Sequence, residues 1–157
     1  MKSNNESGRS LVEMLGVLTI IGILGVGVIS SVNFGMESMR IASVYDEVEL
    51  TAQGVRDLYS WQRNYPSNEQ KADMRTKICA NGVFDRDCDS SVTDAAAVST
   101  AWGVLQVSPN NLESFTIELT GVPEKACTRL LAYQWKNVEP KTSVCAEGDN
   151  TIEFTGY

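Results

Sequence analysis

The 157-residue chain contains no histidine. That absence removes Ser-His-Asp and Cys-His catalysis and the commonest metal ligand. No G-x-S-x-G, P-loop or metal-spaced cluster is present, so the expectation is a non-enzyme without cofactor or metal. Positive charge is scarce: 13 lysines and arginines stand against 20 acidic residues. The resulting net charge of −7 excludes a basic nucleic-acid footprint. Proline is also scarce, and none precedes Pro66. The four cysteines, Cys79, Cys88, Cys127 and Cys145, contain no C-x-x-C pair, which argues against redox or zinc chemistry.

Charge is absent over one long run. From 14 to 32 the chain is apolar except for Thr19, Ser30 and Ser31. About 20 such residues span a hydrocarbon core as a helix. Glu13 sits at the lip of this run, and a carboxylate there is costly to bury without a partner. Lys2 and Arg9 precede the run and hold the N-terminal flank in the cytoplasm. Everything after it is then exported to an oxidising compartment, where four cysteines read as disulfides. Three pairings are possible, and the nearest-neighbour choice, Cys79–Cys88 with Cys127–Cys145, is favoured. Three readings of the N-terminus compete: a secretory signal cut near Val28-Ile29-Ser30, an uncut signal anchor, or cleavage before the run at Gly8.

Beyond 35 the pattern becomes amphipathic. Ile41, Val44, Val48, Ala52, Val55, Leu58 and Tyr59 recur at spacings of three and four, with charged residues between them. The simplest reading is one helix over 10–64, ~80 Å long, apolar all round in its first half and on one face in its second. Gly27, Ser31 and Gly35 form a small-residue stripe of the kind that lets helices approach closely.

The remainder alternates short elements. Ser67 reads as the N-cap of a helix over 71–78, and 92–101 as a further short helix. Asp85, Asp87 and Asp89 alternate in the Cys79–Cys88 loop, but Ser90 and Ala96 stand where a calcium loop needs glycine and glutamate. Strands are expected at 103–107 and 114–120, separated by a turn at 108–111. A helix over 124–133 starts at Pro123, and late strands at 141–146 and 151–155 flank a turn at 147–150. The fold class is therefore α+β, with an antiparallel sheet laid over the amphipathic half of the long helix.

The stretch G-R-S-L-V-E from Gly8 to Glu13, with the apolar run behind it, resembles the class III signal of type IV pilins and related pseudopilins. The resemblance implies a pilin fold, with 1–8 a leader peptide, 9–34 the transmembrane and filament-core helix, and 35–157 the exported head. It implies cleavage after Gly8 by a prepilin peptidase, methylation of the new amine at Arg9, and a role for Glu13 in assembly opposite a neighbouring subunit's amine. The run T-G-V-P-E-K-A-C-T-R-L-L, ending at Leu131, is similar to the C-terminal region of thin-pilus type IVb pilins, which implies pairing of Cys127 with Cys145. The expected function is a structural subunit of a type IV pilus, a homo-oligomeric filament built by pilus assembly machinery from the inner membrane and displayed outside the cell. The alternative is a pseudopilin of a type II secretion system or another membrane-anchored periplasmic protein.

Overall fold

The structure, a computed structural model, describes the backbone at 6–62, 64–84 and 86–157, and the side chains of these residues except at 6–10, 27–30 and 33. It divides into two compact units, Met1–Met39 and Arg40–Tyr157. Helix α1, Glu6–Tyr59, runs through both. It ends five residues before the expected Asn64. The chain turns back because the Ser60 and Gln62 amides bond to the Asp57 and Tyr59 carbonyls, and the Tyr59 and Tyr65 rings meet at 5.6 Å.

After a 3₁₀ turn, Asn68–Gln70, helix α2 covers Lys71–Ala80. Ser67 lies one turn ahead, its amide donating to the Gln70 Oε1 at 3.2 Å, which is half of a capping box. Five strands follow: β1 Ala96–Ser99, β2 Val104–Asn111, β3 Ser114–Pro123, β4 Val138–Pro140 and β5 Asp149–Gly156. Helix α3, Glu124–Leu131, lies between β3 and β4. The sheet order is β1-β2-β3-β5-β4 and every pairing is antiparallel.

Alternation along the strands decides which face is covered. Register sets Leu105, Leu119 and Ile152 in one row and Val107, Ile117 and Phe154 in the next. These rows are buried in one core with Ile41, Val44, Val48, Ala52, Val55 and Tyr59 of α1. Each such Ile, Leu or Phe contributes about 1.5–3 kcal/mol by leaving water. Residues between them, such as Gln106, Thr116, Glu118 and Thr155, are partly exposed on the opposite face.

Three sequence expectations are corrected. The short helix at 92–101 is instead the edge strand β1. Ala96 and Val98 are buried against the core and paired with Val107 and Leu105, so tertiary pairing overrides alanine's helix preference. The turn at 108–111 is strand: β2 continues to Asn111, and the turn falls at Leu112–Glu113. Pro109 is tolerated because β1 pairs with β2 only as far as Val107, so the missing amide costs no bond on that side. The strand at 141–146 is replaced by β4 at Val138–Pro140. Past it the Asn150 side chain bonds both the amide and the carbonyl of Ala146, at 2.7 and 3.0 Å, and takes the place of a strand partner.

Among the described residues no helix is long and apolar enough to cross a membrane, so the transmembrane segment expected over 9–34 is not supported there. Within the apolar run 14–32 the side chains are described without a break only over 14–26, shorter than a span of about 20 residues. The rest of 9–34 includes 27–30 and 33, which lie outside the described side chains.

Candidate assembly interface

In the first unit, every described side chain from 11 to 26 is exposed. Val12 is 71% exposed, Leu18 65% and Val26 68%. A continuous apolar surface of this kind is rare on an isolated protein and marks an interaction site. Gly16, Gly22, Gly25 and Gly35 have nothing within 4 Å of where a Cβ would stand. Each costs the helix about 1 kcal/mol relative to alanine, and no packing among the described residues requires it. Thr19 satisfies its hydroxyl by donating to the Leu15 carbonyl at 2.7 Å.

Glu13 is the one acidic or basic side chain in 11–36, and it is exposed. Among the described residues it has no ion-pair partner. Gly8 and Arg9 belong to α1, and their side chains lie outside the described residues, as does that of Gly27 in the small-residue stripe.

In the second unit, α1 holds the segment after α3 by a polar latch. Glu49 accepts from the Lys136 amide at 2.7 Å and from the Asn137 side chain at 2.6 Å. Arg56 donates to the Asn137 side-chain and main-chain oxygens at 2.9 and 2.8 Å. Bonds to charged groups of this kind are about twice as strong as neutral ones. Aromatic rings fill the space beside it: Tyr45 stacks on Tyr133 at 4.8 Å and meets Trp135 at 4.7 Å, and Trp135 meets Phe154 at 4.6 Å. The Trp135 indole donates to the Leu130 carbonyl. Burial, with help from the Glu49 charge, pushes the Tyr45 phenol above its ordinary value. In the sequence Glu49 and Arg56 are two of the charged residues between the apolar positions of α1. Their separation of seven, flanking the apolar stripe, was the signal that could have shown them on one side of the helix.

The two disulfides are Cys79–Cys88 and Cys127–Cys145, the pairing favoured above. The first closes a loop that packs on α1, with a groove of about 740 Å³ between them lined in part by Asp46, Glu47, Leu50, Phe84 and Arg86. Arg86 bridges to Glu47 at 3.5 Å and donates to the Ser99 carbonyl, while the Asp89 amide bonds the Ala97 carbonyl. These contacts cover the free edge of β1, which would otherwise template pairing with other chains. The Asp89 carboxylate accepts from the hydroxyl and amide of Ser91, which hold it below the usual carboxylate range. Asp85 lies outside the described residues, and among those described no three acidic, cysteine or histidine side chains gather around a common point.

A family model described as PilS N terminal matches residues 38–137, well over half of the chain. The chain belongs to the PilS N terminal family. It is a pilin-like protein, and its long helix, antiparallel sheet and two disulfides form a pilin fold. The match covers the α1 face that enters the core, the first disulfide loop, β1 to β3, α3 and the latch as far as Asn137. A search of curated proteins finds no match. Membership in the PilS N terminal family links the protein to a pilus at the cell surface and to assembly with other subunits.

Proposed function

We propose that the protein is the structural subunit of a type IV pilus and acts by assembly, not by catalysis. The observation that carries this reading is the exposed apolar surface of α1 over 11–26 with one carboxylate, Glu13, at its start. Water is a poor solvent for that surface, so before assembly the segment 9–34 anchors the chain in the inner membrane, with the head outside the cytoplasm. A prepilin peptidase cuts after Gly8 and the new amine of Arg9 is methylated. The pilus assembly machinery then transfers the helix from lipid to a filament of identical subunits.

The physics of Glu13 follows from burial. A carboxylate and an ammonium each cost several kcal/mol when desolvated alone and far less as a pair. The register that sets Glu13 of one subunit against the Arg9 amine of the next is therefore preferred over its neighbours. Glycines at 16, 22 and 25 let the helices approach closely.

Mass spectrometry of the mature chain is expected to show a start at Arg9 carrying one methyl group. An intact Met1, or a start near Ser31, contradicts the reading. Glu13→Ala is expected to leave the protein in the membrane while filaments disappear from sheared surface material viewed by electron microscopy. Normal filaments from this variant sink the pairing argument.

A further inference from the structure

Asn81 and Gly82 form the chain's one Asn-Gly pair, and both are exposed where α2 ends. That end is a glycine cap. Gly82 has φ 64°, the left-handed conformation that favours glycine, and the Val83 amide bonds back to the Ile78 carbonyl at 3.3 Å. Asn81 is tied in twice, because its amide and its side chain both donate to the Lys77 carbonyl, at 3.1 and 2.7 Å. Among the described residues nothing accepts from the Gly82 amide, and nothing stands within 4 Å of where a Cβ of Gly82 would be.

An asparagine ahead of glycine carries an electrophile beside a nucleophile. The nitrogen of the next residue attacks the side-chain carbonyl and closes a succinimide ring. Glycine has no Cβ, so its nitrogen is the least hindered. Closure needs the Gly82 nitrogen and the Asn81 Cβ nearly eclipsed about the Asn81 Cα–C bond. At ψ 5° that nitrogen eclipses the Asn81 nitrogen instead, so the folded cap holds the reacting atoms apart. Turning ψ into the reactive geometry pulls Val83 off the Ile78 carbonyl, and the Asn81 side chain must leave the Lys77 carbonyl. This is a local opening at an exposed helix end, which costs far less than global unfolding.

We propose that Asn81 is a site of spontaneous deamidation, gated by opening of the α2 cap, and that its acid products loosen the loop that covers β1. The Gly82 nitrogen gives its proton to hydroxide and bonds to Cγ of Asn81. The Cγ–Nδ2 bond breaks, and ammonia leaves with a proton from water, which restores the hydroxide. Water then opens the succinimide at either carbonyl and gives aspartate or isoaspartate. Either product sets a carboxylate where a donor to the Lys77 carbonyl stood, at the helix end that disfavours negative charge. The Lys77 ammonium is already engaged by Asp73 at 3.0 Å. Isoaspartate also adds a methylene to the main chain just before Val83, which lies against Gly54 of α1. The same loop carries the Arg86 and Asp89 bonds to β1. The site lies within the second unit and does not rest on the filament reading.

The test incubates the full chain, disulfides intact, in a zwitterionic detergent at mildly alkaline pH. Tryptic peptides are then followed by mass spectrometry, with isoaspartate detected by enzymatic methylation. Asn81 is expected to convert from amide to acid several-fold faster than the exposed Asn68 and Asn110. Reducing the disulfides is expected to raise the Asn81 rate several-fold again, because the cap then opens freely. Asn81→Gln, which must close a larger ring, is expected to stay unmodified at that position. Asn81→Asp is expected to speed hydrogen exchange at Val83 and in β1 while β3 and β5 stay protected. Conversion at Asn81 no faster than at Asn68 and Asn110 overturns the proposal. An equal Asn81 rate in the intact and reduced chains overturns the gating, and unchanged exchange in Asn81→Asp overturns the effect on the loop.

Discussion

Two glycines of the head respond differently to one added methyl group. Gly54 lies inside α1, and a Cβ there would stand 2.8 Å from Cγ1 of Val83 in the first disulfide loop. Replacing a helical glycine by alanine gains about 1 kcal/mol, while crowding a packed contact costs about 1–3 kcal/mol. Gly54→Ala is therefore expected to lose no more than about 2 kcal/mol. At Gly103 the obstacle is main chain: the Thr120 carbonyl overlaps the Cβ position, and the Gly121 Cα lies at 3.1 Å. Gly121 has φ 74°, so the backbone facing it is itself a conformation that glycine favours. Gly103→Ala is expected to lose about 3 kcal/mol or more, as strand pairing opens. Urea midpoints of the two variants check the order. Tyr59 adds a pH signal. Its hydroxyl is buried without a hydrogen-bond partner among the described residues, and burial, then the Asp73 charge, pushes its pKa up to about 12. The folded state thus favours the neutral phenol, and this contribution is complete below pH 10 and is lost as pH rises towards 12. Tyr59→Phe is expected to be neutral or stabilising at pH 7 and to flatten the fall in urea midpoint above pH 10. Neither the Val83 contact nor the orphaned hydroxyl was legible in the sequence, because both depend on segments far apart in the chain.

At the scale of elements, the latch joins α1 to the segment after α3. Glu49→Ala removes the acceptor for the Lys136 amide and the Asn137 side chain. A loss of about 1–3 kcal/mol is expected, with faster hydrogen exchange at 132–137 and unchanged protection in β3 and β5. An equal loss of protection across the sheet would mean that the latch is part of the global core. The long helix was legible because its apolar spacing repeats over many turns, and β3 because its alternation is strict. β1 was not. Its Ala96, Ala97 and Val98 carry no alternation, and only burial between α2 and β2 makes a strand of them. The same holds for 141–146, which alternates locally but is drawn off the sheet by Asn150 and by the Cys127–Cys145 bond.

At the scale of the molecule, the second unit is a modest core closed by two covalent links. Loop-closure entropy assigns about 3 kcal/mol to each disulfide, with the larger share to Cys127–Cys145, whose sequence separation is 18 against 9. Small domains have about 5–15 kcal/mol in total. Replacing either cysteine pair by serine is expected to lower the melting temperature sharply, more for Cys127–Cys145. Reducing both is expected to leave the head unfolded by near-ultraviolet circular dichroism. The first unit presents the reverse case, an apolar helix whose described side chains over 11–26 are all exposed. On the proposed reading, burial of that helix in a filament is what assembly supplies.

By itself the sequence determined the features that are local or compositional. These are the apolar run and its single carboxylate, the amphipathic face of α1, and the missing histidine. Each rests on spacing along one segment or on residue identity, which the chain states directly. The tertiary structure decided where segments distant in sequence meet. It set the edge strand β1, the passage of Pro109 through a strand, and the Glu49–Arg56–Asn137 latch. The physical reason is that burial and hydrogen bonding between distant segments outweigh local propensities of about 1 kcal/mol or less per residue.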